Sequence, residues 1–140
     1  MRHLFWVVFF INITTLTHNS HAQNMDSKYL CVSEIYTRYD LNKDKFSVKR
    51  GDEAKCHAEL FPSLKTWKTD CPFFSIRKKD DIEVLNFESG FGFWTQKFIA
   101  INRNTAVIKT MSVTKLKNID EFHFQATFGG NIRYGTCVVK

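Results

Sequence analysis

The chain has 140 residues, of which 44% are hydrophobic and 15% aromatic, and it carries a formal net charge of +6. This length suits one folded domain rather than several. The basic residues are scattered along the chain and form no dense stripe, which argues against nucleic-acid binding and leaves a weak attraction to anionic surfaces.

The first 22 residues have the layout of a secretory signal peptide. Met1–His3 is short and basic, Leu4–Ile13 is apolar, and a polar stretch ends in small residues at Ser20 and Ala22. The apolar run is shorter than the roughly 20 residues that span a bilayer. We therefore predict a cleaved signal at 1–22, a single domain at 23–140 without a transmembrane segment, and a periplasmic or secreted location.

Four cysteines follow this segment, at Cys31, Cys56, Cys71 and Cys137. In an exported domain of this size, an even number of cysteines predicts two disulfides, with three possible connectivities. We prefer Cys56–Cys71, which ties down the least regular part of the chain, together with Cys31–Cys137, which joins the first and last strands. Their spacing matches no common zinc pattern because the chain contains no CxxC pair.

In the first half of the chain, aromatic and β-branched residues predict strands at 29–36 and from Phe46 to Val48. Residues 51–67 have no clean period, and we expect a short helical turn at 53–61, stopped by Pro62. The charged residues 78–81 lie between two apolar runs, 73–77 and 82–87, and predict a hairpin.

The second half of the chain gives clearer signals. The apolar runs 98–101 and 106–108 flank Asn102-Arg103-Asn104-Thr105, which predicts a hairpin because asparagine tolerates left-handed backbone. A strict alternation from Phe122 to Phe128 predicts a half-buried strand. Gly129-Gly130 then supplies a tight turn into a last strand from Ile132 to Val138. With seven to nine short strands, we expect an all-β fold, a small antiparallel barrel or sandwich.

The segment Gly90-Phe91-Gly92-Phe93-Trp94 has the most unusual local composition. Glycines between aromatic residues allow rings to lie on a surface, so Phe91, Phe93 and Trp94, with Trp67, are candidate binding residues. The alternative is a glycine bend at a barrel corner, with the rings packed inside as is usual for aromatic side chains.

Signals for catalysis or metal binding are weak. Asp40-x-Asn42-x-Asp44 starts like a calcium loop, but Lys45 and Gly51 occupy the positions that need glycine and glutamate. The domain has two histidines, His57 and His123, and no G-x-S-x-G motif. We therefore predict no enzyme activity, no cofactor and no metal site.

Two resemblances add to this reading. Tyr29-Leu30-Cys31, the middle cysteine pair, residues 98–105 and Gly135-Thr136-Cys137 resemble a group of small exported bacterial proteins of uncharacterised function, which implies export and a β-rich fold. Tyr29-x-Cys31 and Ser89-Gly90 before 93–97 resemble periplasmic lysozyme inhibitors, which are disulfide-bonded β-barrels. This second resemblance implies an inhibitor.

We therefore expect a non-enzymatic binding protein that acts on another exported or envelope protein, such as an inhibitor or immunity-type factor. The alternative is a carrier of a small apolar ligand in a barrel cavity lined by Phe122, Phe124 and Phe128. The third hypothesis is that the protein is an enzyme.

Overall fold

The computed structural model describes residues 27–88, 92–116 and 120–140. This part of the chain forms nine β-strands and a short 3₁₀ turn at Gly51–Glu53. The strands are β1 (Tyr29–Asp40), β2 (Lys45–Arg50), β3 (Cys56–Phe61), β4 (Thr66–Thr69), β5 (Asp80–Glu88), β6 (Phe93–Asn102), β7 (Val107–Leu116), β8 (Phe122–Phe128) and β9 (Asn131–Val139). The predicted signal peptide lies outside the described residues. Among those described, no helix has the length and apolarity needed to cross a membrane.

The nine strands form one antiparallel sheet with the order β4-β3-β1-β9-β8-β7-β6-β5, and β2 pairs with β1. This sheet curls into a nearly closed barrel with β4 and β5 as its two edges. Trp67 of β4 packs edge-on against Phe98 of β6, with 6.4 Å between ring centroids, so the two sides of the sheet meet across the interior. The predicted all-β fold is confirmed, and it is a barrel rather than a sandwich.

The core follows from the two-residue period of the strands, since successive side chains point to opposite faces of the sheet. In β8, Phe122, Phe124 and Ala126 are buried, whereas His123 and Gln125 are exposed. The same alternation runs through β3 and β6. The largest fully buried side chains are Tyr29, Phe74, Phe98, Phe124, Leu60 and Met111. The core is therefore aromatic, as the composition predicts.

Both preferred disulfides are confirmed. Cys31 of β1 faces Cys137 of β9 in the ladder and is bonded to it, so the first and last strands are joined directly. Cys56 at the start of β3 is bonded to Cys71, just after β4. The second bond fixes the start of the irregular segment between the two edge strands.

A β-bulge divides β1 into two halves. The pairing with β9 passes from Ser33–Gly135 to Ile35–Tyr134, so Glu34 is the extra residue. Such a bulge bends the strand and increases its twist. Before the bulge β1 pairs with β3, and after it the same edge of β1 pairs with β2. The turn and strand at 41–50 therefore extend beyond β3 as a separate ribbon.

Two predictions for the first half of the chain are wrong. Residues 53–61 form no helical turn beyond the 3₁₀ turn at Gly51–Glu53, because 56–61 are drawn into the sheet as β3. Residues 73–77 form no hairpin with 82–87. Instead β5 pairs with β6, and Phe74 turns inward, where its carbonyl accepts a bond from Trp67 Nε1 at 2.8 Å. The hairpins β6–β7 and β8–β9 lie where the sequence predicts them.

A cluster of buried polar side chains lies at the start of β5. The Asp80 carboxylate accepts bonds from Arg77 N–H and Asn102 Nδ2, both at 2.9 Å, and lies 3.7 Å from Lys109 Nζ. The Asp80 and Lys109 side chains are 2% and 5% exposed. Burial raises the pKa of Asp80, but these hydrogen bonds and the charge of Lys109 outweigh it, so the net pKa is lowered.

This lowered pKa makes the barrel sensitive to acid. An aspartate whose pKa is lower in the folded than in the unfolded state stabilises the fold above its unfolded value of about 3.9, and that stabilisation is lost as pH falls through the folded pKa. We expect Asp80→Asn to lower the free energy of unfolding by about 2 kcal/mol at neutral pH, since Lys109 loses its buried counter-charge. The variant should also lose less stability than the wild type between about pH 5 and pH 3.

The neighbouring Asp81 supplies the control. Its carboxylate pairs with Arg103 at 2.7 Å, but both side chains are well exposed, so Asp81→Asn should change stability by less than about 0.5 kcal/mol. Urea unfolding of both variants across this pH range measures the difference. Equal behaviour of the two variants would show that the buried cluster contributes nothing specific.

Candidate functional site

An exposed aromatic surface on the barrel wall lies where β5 ends and β6 begins. Phe87 of β5 is 49% exposed and Phe93 of β6 is 39% exposed. Phe87 faces Thr95 in the ladder, and Phe93 is two residues before Thr95, so the two rings occupy diagonal positions on the outer face. Leu85 shares that face on β5, and Leu116 lies opposite Phe93 on β7. We call Leu85, Phe87, Phe93 and Leu116 the aromatic patch.

The structure brings only part of the predicted binding set to this surface. Phe93 belongs to the patch, and Trp94 beside it is half-buried and packs against the core. Trp67 is 3% exposed and lies in the core, so its ring is not available to a partner. Phe91 and Gly90 lie outside the described residues.

The aromatic patch adjoins an unpaired sheet edge. Within the described residues β5 pairs with β6 alone, over nine residues from Asp80 to Glu88. No second strand among these residues pairs with the other side of β5. An exposed edge strand with apolar side chains is a template on which a segment of another protein can add a strand.

Two of the three phenylalanines that would line a carrier's cavity, Phe122 and Phe128, pack on other aromatic rings. Phe122 packs on Tyr29 with 5.7 Å between ring centroids, and Phe128 packs on Phe74 at 6.4 Å. Burial raises the pKa of Tyr29 to about 12. Phe124 is almost fully buried. The three phenylalanines that the sequence offers as a cavity lining thus contact other core groups.

The interior also holds a buried arginine. Arg133 of β9 donates from Nη1 to the carbonyl oxygen of Ala54 at 2.8 Å, and its guanidinium lies 4.3 Å from the centre of the Tyr36 ring. Burial lowers the pKa of Arg133. The Arg133 side chain therefore links the turn after β2 to β9 by a hydrogen bond, which is a structural role.

Two shallow cavities lie on the outside of the barrel. One, of about 420 Å³, is lined by outward-facing residues of β3, β1 and β9, among them Leu30, Val32, His57 and Val138. The other, of about 360 Å³, lies beside the β1 bulge and includes Glu34, Asp52 and Lys55. Both are partly open to solvent.

One pair of side chains has the form of a catalytic base and its orienting acid. His57 Nδ1 lies 3.2 Å from Asp70 Oδ2. The hydrogen bond from the His57 backbone N–H, followed by the contacts with the imidazole, outweighs partial burial and lowers the pKa of Asp70. A hydrolytic site also needs a nucleophile at the imidazole. The nearby hydroxyl of Thr69 donates to the His57 carbonyl oxygen at 2.7 Å rather than to the imidazole. The side chains of His57 and Asp70 are both more than half exposed.

The same region brings Asp70 close to the sulfurs of Cys56 and Cys71, in an arrangement that resembles three metal ligands. Both sulfurs belong to a disulfide, so neither can act as a thiolate. One carboxylate remains from that group of three, which is too few for a metal centre of the usual kind.

Phe87 and Leu85 are not among the binding residues predicted from the sequence. The signal was present in β5, where Ile82 and Val84 occupy the inner face while Leu85 and Phe87 make the outer face apolar as well. An edge strand that is apolar on both faces is unusual for a barrel wall exposed to water.

No protein-family model, curated protein or solved structure matches this chain.

Proposed function

We propose that this protein is an exported, non-enzymatic binding protein of the periplasm or the extracellular space, which blocks another protein as an inhibitor or immunity-type factor does. The observation that carries the proposal is the aromatic patch on β5, a strand at the edge of the sheet. Export is supported by the two disulfides, since such bonds persist in oxidising compartments.

The patch has the chemistry of a protein-binding hot spot. Aromatic side chains contribute much of the free energy of binding at interfaces when a partner covers them fully. Phe87 and Phe93 are held on adjacent paired strands, so they lose little conformational freedom when they are covered. Glu83 and Lys97 lie on the same face and supply polar groups at the rim.

The β5 edge adds a second recognition element. A strand of the partner that pairs with β5 would extend the sheet at this edge, and the partner's side chains would meet Leu85 and Phe87 on the outer face. Backbone pairing would give affinity, and the rings would give specificity.

A binding experiment with matched variants tests the proposal. Purified, oxidised mature domain is used to capture proteins from extract of its own envelope or surroundings, and the captured protein is then titrated in purified form. We expect a stoichiometric complex, and we expect Phe87→Ser/Phe93→Ser to weaken it by at least about 30-fold, the loss of two hot-spot contacts of about 1 kcal/mol or more each. Trp94→Ala should have a smaller effect because its ring is half-buried.

The control variant is Ile108→Ser/Val138→Ser, which removes two exposed apolar side chains of β7 and β9 that are not part of the aromatic patch. It should bind like the wild type. If both double variants bind equally well, or if no stoichiometric complex forms, the aromatic patch is not a protein-binding site. Release of a bound apolar ligand from the purified domain would then favour the hypothesis that the protein carries such a ligand.

A further inference from the structure

The ribbon formed by the turn 41–44 and β2, which we call the arm (residues 41–50), has an unusual surface. All ten of its residues are exposed. Three of them are large and apolar: Leu41 in the turn is 84% exposed, Phe46 is 63% exposed and Val48 is 53% exposed. Phe46 stacks against Tyr39 of β1, with 5.0 Å between ring centroids. Because these three apolar side chains are exposed on the ribbon, they are not stabilised by burial in the core of their own domain.

The arm is also strongly cationic. It carries four basic residues, Lys43, Lys45, Lys49 and Arg50, and a single acidic one, Asp44. The hydroxyl of Tyr39 donates to the Asp44 carboxylate. Lys43 and Lys49 make loose ion pairs, at 3.8 and 3.7 Å, whereas no described acidic side chain pairs with Lys45 or Arg50. The arm therefore presents net positive charge beside its exposed apolar groups.

We propose that the arm docks the protein on an anionic lipid surface. Strand alternation places Phe46 and Val48 on one face of β2 and Lys45 and Lys49 on the other. The apolar side chains and Leu41 would enter the boundary between headgroups and acyl chains, as in interfacial segments. The long lysine side chains on the opposite face would bend around the edge of the ribbon to reach the lipid phosphates.

Three features favour a lipid surface over other occupants. The net positive charge opposes a second copy of the same arm, since like charges would face each other across a symmetric contact. The projecting ribbon is exposed on both faces, so a fluid headgroup layer covers it more readily than one flat protein surface would. Lipid headgroups accept cations without a fixed geometry, which suits long, unpaired side chains such as Lys45.

This inference is independent of the proposed function and compatible with it. The strands alternate in direction around the sheet, so the β1–β2 turn lies at one end of the barrel. The end of β5 and the start of β6, which carry the aromatic patch, lie at the other end. A domain held on a membrane by the arm would still present the patch to a partner.

Vesicle binding tests the proposal without any protein partner. The oxidised mature domain is sedimented with phosphatidylcholine vesicles, with and without phosphatidylglycerol, at low and high salt. We expect binding to the anionic vesicles alone, and loss of binding at high salt because ions screen the attraction. Lys45→Gln/Lys49→Gln should lower the partition coefficient about 30-fold, since it removes two basic residues from the contact. Leu41→Ser/Phe46→Ser should lower it at least about tenfold.

Matched variants at the far end of the barrel separate the arm from general charge attraction. Lys65→Gln/Lys68→Gln removes the same charge near the β3–β4 turn, and Leu64→Ser/Val138→Ser removes two exposed apolar side chains. Both control variants should partition within about threefold of the wild type. Failure of the wild type to bind anionic vesicles, or equal losses in arm and control variants, would overturn the proposal. Capture of an acidic protein through the arm, with no vesicle binding, would overturn it as well.

Discussion

Replacing Gly135 by alanine is expected to lower the free energy of unfolding by about 3 kcal/mol or more, a large fraction of the stability of a domain of this size. A Cβ atom at Gly135 would meet the backbone of β1 at the bulge. It would collide with the carbonyl oxygen of Val32 and lie only 2.8 Å from the Val32 carbonyl carbon and 2.9 Å from Ser33 Cα. Backbone atoms in a paired strand cannot move aside as a flexible side chain can, so the two strands would have to separate.

Gly129→Asn is the control for this substitution. Gly129 has a φ of +55° in the β8–β9 turn, and no atom lies within 4 Å of a Cβ placed there. Asparagine tolerates that backbone conformation, so we expect a loss below about 1 kcal/mol. Urea unfolding measures both changes. A Gly135→Ala variant as stable as the wild type would mean that β1 and β9 do not approach each other in this way.

Removing the Cys31–Cys137 disulfide is expected to cost about 4 kcal/mol. The bond joins residues 106 positions apart, and a cross-link that closes a long loop restricts the unfolded chain most. The double variant Cys31→Ala/Cys137→Ala avoids a free thiol. The Cys56–Cys71 bond closes a separation of 15 residues, so its removal should cost less, about 3 kcal/mol.

Guanidinium unfolding of the two disulfide variants, under non-reducing conditions, tests this order. Reduction of the wild type should destabilise it more than either variant. The opposite order, with Cys56→Ala/Cys71→Ala the less stable variant, would show that native contacts around Cys71 outweigh the loop entropy. Cys71 is buried next to the segment that carries Phe74 into the core, so this outcome has a defined structural meaning.

The parts of the fold that depend on local pattern could be predicted from the sequence. Alternation from Phe122 to Phe128 and the glycines after it define β8, its turn and β9, because period-two burial and positive φ are local properties. The even cysteine count and the position of Cys31 and Cys137 in terminal strands led to the correct pairing. The choice between barrel and sandwich depends on long-range closure, which no local pattern contains.

The wrong predictions come from long-range pairing that overrides local preference. Ala58, Glu59 and Leu60 favour helix by intrinsic propensity, yet pairing with β1 and the disulfide at Cys56 hold them in a strand. Residues 73–77 look like a strand, but Phe74 is drawn into the core beside Trp67. Exposure of the arm could not be predicted either, because it depends on which strands form the sheet edges, and the apolar outer face of β5 became a candidate site only once β5 was found at an edge.

Photo-crosslinking in the intact cell tests the central claim, that the protein binds another protein through the aromatic patch. Phe87 is replaced by a photoreactive phenylalanine analogue, and the same analogue replaces His123 on the outer face of β8 as the control. We predict one discrete crosslinked protein from position 87 and none from position 123. Crosslinks of equal yield from both positions, or no crosslink at position 87 in a correctly folded chain, would contradict the account.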